Sequence, residues 1–273
     1  MSTTLRNTTI ALAVFAAAGL FASPAAAQNG GNISLSSGVD VVSDYYFRGI
    51  VQETGGFIAQ PTLEGSMSFG NASITAGTWS SLHSVGDEGF TGAPQSFYET
   101  DFYAGIGASA GMVGFDVTYT AYMSPRGSWG TTKELALGLS VDDGYISPYL
   151  TVAAELSGGA DGYDTGNYLE FGIEPAAPLA DAPVSLSFPV AIGMSLSDYY
   201  QYESAPGVIS DSGFGFLSAG AALGIPLAVP EQYGSWELGI GLTALVLGEG
   251  AHAIDGGDSS TKLLATFGLS LGY

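Results

Sequence analysis

The sequence predicts an all-β fold: a transmembrane, antiparallel up-and-down β-barrel of about twelve strands, with short periplasmic turns and longer extracellular loops. Three observations predict it. Apolar and polar residues alternate with period two through most of the chain, the mark of strands whose two faces meet different surroundings. Acidic residues keep to one of those faces. The connections between alternating segments are short and long in turn.

The first residues read as an address. Arg6 supplies a positive start, Ile10 to Phe21 is a short apolar run, and Ala25-Ala26-Ala27 gives small residues before Gln28. This is the layout of a secretory signal peptide, and the run is shorter than the ~20 residues a spanning helix needs. Residues 1–27 are therefore expected to be removed, leaving 28–273 as one barrel domain.

Alternating segments follow at 32–47, 56–69, 72–82, 97–110, 113–123, 132–141, 145–156, 167–175, 183–197, 213–227, 234–247 and 260–273. In 113–123, Val113, Phe115, Val117 and Tyr119 alternate with Gly114, Asp116, Thr118 and Thr120. In 183–197, Val190, Ile192, Met194 and Leu196 alternate with Ala191, Gly193 and Ser195. Segment 213–227 fits worst, because Phe214 and Phe216 sit on the face that should be polar.

The large apolar residues define an outward face without reference to charge. Asp40, Asp44, Glu64, Glu99, Asp101, Asp116, Glu134, Glu155, Glu170, Glu174 and Glu237 all fall on the opposite face, together with Arg48. Chance alone would place eleven acids so about once in two thousand, whereas a membrane barrel with a polar lumen requires it. These twelve residues are the expected pore lining. Lys133 is on the apolar face at the start of its strand, where a long cation can reach the headgroups.

Gly70-Asn71, Gly111-Met112 and Asp142-Asp143-Gly144 are short turns, followed by 176–182 and 228–233; Gly-Asn and Asp-Gly are hairpin chemistry. The long loops are 48–55, 83–96, 124–131, 157–166, 198–212 and 248–259. Tyr45, Phe47, Trp79, Tyr199 and Tyr200 near the loops, and Tyr145, Tyr233, Trp236 and Tyr273 near the turns, are expected to form two interfacial girdles. Phe267, Leu269, Leu271 and Tyr273 make an alternating, aromatic-ended closing strand, the pattern of an outer-membrane assembly signal.

Composition excludes several classes. There are no cysteines, so no disulfide, thiol nucleophile or cysteine-ligated zinc. Acids number 26 against 5 basic residues, a net charge of −21, which repels nucleic acid. A hydrophobic content of 46% is too high for a disordered acidic chain. A soluble β-sandwich would need its acid-bearing faces turned to water and its apolar faces paired inside.

Asp40-Val-Val-Ser-Asp-Tyr-Tyr-Phe-Arg-Gly-Ile50 resembles the opening strand of the TorF-type porin family, and Ala76-Gly-Thr-Trp-Ser80 resembles that family's third strand. The aromatic terminus agrees. The resemblance implies an outer-membrane barrel of porin function and brings no solute with it. Gly89 to Ser96 and the loop 198–212 match no motif.

Few residues suggest chemistry. Arg48 reads either as a filter residue or as a counter-charge to neighbouring carboxylates. His83 and His252 are placed in loops, where His83-Ser84 with Asp87 and Glu88 imitates a hydrolase rim only loosely. The pairs Asp161 with Asp164 and Asp255 with Asp258 lack the ligand pattern of a calcium loop. The aromatic run Tyr199-Tyr200-Gln-Tyr202 offers a sugar platform as the alternative to a girdle.

The expected function is passive diffusion of small polar or cationic solutes through an acidic lumen in the cell outer membrane of a Gram-negative bacterium. The alternative is a non-conducting barrel whose loops bind a partner or ligand. Neither calls for catalysis, a metal or a cofactor. Expected partners are outer-membrane lipid, the assembly machinery and small polar solutes, with a homo-oligomer left open.

Overall fold

A computed structural model describes residues 32–84, 97–158, 164–179 and 183–273. The signal peptide assigned to 1–27, the segment Gly89 to Ser96, and Asp87, Glu88 and Asp161 lie outside those residues. The strands are β1 (Ile33–Val42), β2 (Tyr45–Phe47), β3 (Ile50–Glu53), β4 (Ile58–Phe69), β5 (Ala72–His83), β6 (Glu99–Ala110), β7 (Val113–Met123), β8 (Thr132–Val141) and β9 (Tyr149–Ser157). They continue with β10 (Asn167–Ile173), β11 (Ser185–Ser187), β12 (Val190–Ser197), β13 (Gln201–Ala205), β14 (Val208–Asp211), β15 (Phe214–Pro226), β16 (Ser235–Leu247) and β17 (Thr261–Gly272), with helix α1 (Glu249–Asp255) before the last.

Antiparallel pairing runs from β1 through β4 to β10, then β12, β15, β16 and β17, and β17 pairs back onto β1. β11 and β12 form one stave, interrupted at Phe188-Pro189 because proline has no N–H for the ladder. The result is a closed barrel of twelve staves. Closure removes every unpaired edge. At the seam, Leu35 and Tyr273 exchange both backbone hydrogen bonds, at 2.8 and 2.7 Å.

The barrel is apolar outside and polar inside. On β6, Phe102 and Ile106 are exposed while Glu99, Asp101 and Tyr103 are buried. On β7, Phe115, Val117 and Tyr119 are exposed and Thr118, Thr120 and Tyr122 are buried. Lys133 is exposed on the outward side. Apart from β10, with 7 residues, and the interrupted β11–β12 stave, the staves run 9–13 residues and so reach the 9–11 residues that cross a hydrocarbon layer at a tilt.

Two strand boundaries differ from the sequence expectation for local reasons. The strand expected at 145–156 starts at Tyr149. Asp143 Oδ1 accepts the backbone N–H groups of Tyr145, Ile146 and Ser147 at 2.9, 2.9 and 3.0 Å, and so winds that stretch into the turn. Those donations, the Ser147 amide foremost, hold the Asp143 carboxyl below its ordinary range. The expected first strand, 32–47, stops at Val42. After Ser43, which still bonds Ala265, the chain bends inward at Asp44 and makes a separate hairpin of β2 and β3.

Candidate functional site

The β2–β3 hairpin enters the barrel. Its turn is Arg48-Gly49, with φ of 49° and 80°, the left-handed pair that a two-residue turn between twisted strands demands. Glycine meets that requirement freely; arginine does so at a cost of roughly 1–2 kcal/mol. A Cβ on Gly49 would also press on the Phe216 ring. Phe216 is the inward aromatic that made segment 213–227 look irregular: it is the floor on which the hairpin tip rests.

Each hairpin side chain is tied to a different wall. Tyr45 donates to Glu99 on β6 at 2.9 Å, and Tyr46 donates to Asp255 of α1 at 2.6 Å. Arg48 donates through both terminal nitrogens to Glu134 on β8, at 2.6 and 2.9 Å, with side chains 4% and 2% exposed. Such a fork is the stronger kind of charge-assisted bond. The guanidinium also lies 4.2 Å from the Tyr168 ring centre and donates to Tyr199 at 3.0 Å. From above, Tyr200 donates to the Arg48 carbonyl at 2.9 Å. Gly215 makes room for it, since a Cβ there would collide with the Tyr200 ring.

Two apolar clusters flank the hairpin. Val42, Tyr45, Ile58 and Trp79 pack on the β1–β4–β5 side. Tyr46, Tyr168, Tyr200, Phe216, Leu245 and Ala251 pack on the opposite side, under α1. The loop-end half of the lumen is therefore filled. Toward the turn end a cavity of about 160 Å³ remains, bordered by Asp44, Tyr149, Thr151, Glu174, Thr243 and Thr266.

The expected pore-lining residues separate accordingly. Glu99, Asp101, Glu134 and Glu170 are buried around the hairpin, with Glu170 accepting from Tyr149 at 2.8 Å and from Tyr168. Asp40 is buried on β1. Glu64, Asp116, Glu155, Glu174 and Glu237 are half-buried on inward positions, Glu64 accepting from Tyr103 at 2.9 Å and Glu155 from the Gly166 amide at 2.7 Å. Asp44 sits in the bend and faces the cavity. Arg48 is at a hairpin tip rather than at the end of the first stave. On the closing stave, Phe267 and Tyr273 are exposed, and Leu269 and Leu271 are half-buried.

Three sequence expectations are corrected. The loop-side girdle does not exist as read: Tyr45, Trp79 and Tyr200 are inside, at 8%, 3% and 0% exposure, because the hairpin needs aromatic walls. Of the turn-side residues, Tyr145, Tyr233 and Tyr273 are exposed, Tyr145 at 77%, and Trp236 is half-buried. The run from Tyr199 offers no sugar platform either, since Tyr199 and Tyr200 pack on Tyr168. Finally, neither histidine is in a bare loop. His252 belongs to α1, and His83 ends β5, buried against Tyr98 at 4.5 Å between ring centres.

His83 completes a serine–histidine–carboxylate line: Ser81 Oγ is 2.9 Å from Nε2, and Glu53 Oε2 is 3.5 Å from Nδ1. Catalysis needs an approachable nucleophile. Ser81 is 0% exposed and accepts from Gln60 at 3.4 Å, so the line acts as a pin holding β3 to β5. Tyr98 adds a second pin, donating to Gln52 at 2.9 Å.

The Asp255 carboxylate is engaged rather than free for calcium. Burial pushes its pKa up, but Lys262 at 2.7 Å, Tyr46 and the Gly257 amide outweigh that and hold it below the ordinary 3.8. A depressed carboxyl contributes stability that is complete above its unfolded value and is lost as pH falls through the folded one. Amide protection of α1 is therefore expected to hold down to about pH 4 and to fall only below it. In Lys262→Met the loss should begin at higher pH. Equal exchange profiles for the two proteins would show that this contact does not hold the helix.

Residues 26–205 match a family model described as a bacterial protein of unknown function (Gcw_chp). No curated protein matches the chain. Among solved structures it is similar to the KdgM porin in complex with disordered oligogalacturonate, at 8% identity over 88% of this chain and 99% of that one, TM-score 0.47. It is similar to the NanC porin at 12% identity, over 88% and 98%, TM-score 0.49. It is also similar to outer membrane phospholipase A from Escherichia coli, at 12%, over 87% and 92%, TM-score 0.42.

Proposed function

The chain belongs to the Gcw_chp family of bacterial proteins of unknown function, and from that premise we propose that it is an outer-membrane channel for passive diffusion of small polar or cationic solutes. One observation carries the reading: the barrel is closed, apolar on its outer surface and acid-bearing within. Only surrounding lipid makes that arrangement favourable. In this reading the leader 1–27 directs export from a Gram-negative cytoplasm. The staves cross the outer membrane, loops face out, and Phe267, Leu269, Leu271 and Tyr273 are read by the assembly machinery. The likeness of 40–50 to TorF-type porins supports it. The chain carries out no catalysis.

The hairpin sets the character of the pore. A solute entering from the turn end meets Glu174, Glu237 and Asp44 before it meets the Arg48–Glu134 fork. Carboxylates in a narrow lumen concentrate cations and repel anions. A second reading, a plugged barrel that presents loops to a ligand, is favoured by the two apolar clusters that close the loop-end half.

Detergent-extracted protein is expected to migrate differently before and after boiling, because a closed ladder resists denaturant. In planar bilayers it should conduct with cation preference, weakening at high salt. Glu174→Gln with Glu237→Gln should move the reversal potential toward zero. Anion preference would end the acid-lumen reading. A folded barrel that never conducts would leave the plugged alternative standing.

A further inference from the structure

The cavity left beneath the hairpin has walls of two kinds. Much of its surface is apolar, formed by Phe47, Phe216, Leu245 and Ala222. Tyr149 adds a ring that is fixed in place. It lies against the backbone of Gly172, where any Cβ would collide with it, and its hydroxyl donates to Glu170 at 2.8 Å. The ring therefore hugs the wall of β9 and β10 and borders the open space without crossing it.

Asp44 and Glu174 bring charge into the same space. They come from opposite sides of the barrel. Asp44 sits in the bend after β1 and Glu174 just past the end of β10, with β17, β16, β15 and β12 between them around the wall. Carboxylates so placed do not share a proton, and both are only half-buried; Glu174 also accepts from Ser187. Of the described residues that border the cavity, Arg48 alone is basic, and its terminal nitrogens are engaged by Glu134 and Tyr199. At about 160 Å³, the space is several times a water molecule's share of ~30 Å³.

We propose that this cavity binds an organic ammonium ion, its apolar body against Tyr149 and Phe216 and its nitrogen drawn by Asp44 and Glu174. Apolar walls with a few placed polar groups are the usual make-up of a small-molecule site, and aromatic faces attract ammonium groups. A hydrated inorganic ion would give up water to apolar walls that offer nothing in return. An anionic solute is repelled by both carboxylates. The inference rests on the cationic-solute reading above and narrows it to the class of solute that pauses in the lumen.

The test is titration calorimetry of the detergent-solubilised protein with benzylammonium chloride, and with benzyl alcohol as the uncharged counterpart of similar shape. Benzylammonium should give a saturable heat, and benzyl alcohol should bind about tenfold more weakly or not at all. Asp44→Asn combined with Glu174→Gln should weaken benzylammonium by about tenfold. Tyr149→Leu should weaken it roughly three- to fivefold, whereas Tyr149→Phe, which keeps the ring over Gly172, should bind nearly as wild type does. Glu64→Gln, an inward acid that does not border the cavity, should leave binding unchanged. Equal affinity for the two ligands, wild-type affinity in the double variant, or no saturable binding by heat-modifiable wild-type barrel would each overturn the proposal. Calorimetry does not need conduction, so the two readings fail separately. Sodium conductance without benzylammonium binding would remove the site and keep the channel; binding without conductance would do the reverse.

Discussion

Arg48→Ala should destabilise the barrel by about 3–5 kcal/mol, the cost of leaving a buried carboxylate without its partner. Among the described residues, only the Tyr122 hydroxyl, at 3.0 Å, would still serve Glu134. The hairpin tip would lose its fork, its ring contact with Tyr168 and its bond to Tyr199 together, so conductance in bilayers should rise several-fold. A companion variant separates charge from backbone. Arg48 occupies a left-handed φ of 49°, so Arg48→Gly should regain about 1 kcal/mol relative to Arg48→Ala while opening the lumen equally. Wild-type melting and wild-type conductance in Arg48→Ala would show that the hairpin is held by its aromatic contacts alone.

Deleting Tyr273 should lower the folded protein in the outer membrane several-fold while export continues. The residue carries two roles that substitution can part. Its backbone closes the seam to Leu35 through two hydrogen bonds, together worth about 1–3 kcal/mol. Its ring is the aromatic end of the proposed assembly signal. Tyr273→Asp keeps the backbone and removes the ring. If Tyr273→Asp accumulates normally and the deletion does not, the seam matters and the aromatic does not; normal accumulation of both would remove Tyr273 from assembly altogether.

The staves were legible because membrane and lumen impose opposite demands on alternate residues, and parity survives errors of boundary. β7 and β8 begin and end where the alternation does. The hairpin was not legible by the same rule. Asp40 to Phe47 alternates well enough to pass for one strand, and alternation cannot distinguish a face turned to the lumen from a residue entering it. Two local signs pointed to it: the Arg48-Gly49 turn pair, and Phe216 on a face where an aromatic had no business unless something covered it. The misplaced girdle has the same root. An aromatic near a strand end is equally suited to headgroups and to an interior plug, and only the partners, Glu99 for Tyr45 and Arg48 for Tyr200, decide. His83 was lost by one residue of boundary. Its pins to Ser81 and Glu53 are a tertiary fact that sequence spacing does not contain.

The hairpin also constrains the order in which the chain can assemble. It emerges immediately after the first stave, yet its anchors arrive 86, 151, 152 and 209 residues later, at Glu134, Tyr199, Tyr200 and Asp255. Contacts so distant in sequence make folding slow. They also lie above and around the tip, so a cylinder closed with the hairpin outside would have to reopen its lid, or its wall, to admit three aromatic rings and a guanidinium. The early segment must therefore wait within the curving sheet while the later staves are added. Closure of the last stave onto the first then traps it, as a cork set in place before the bottle is blown.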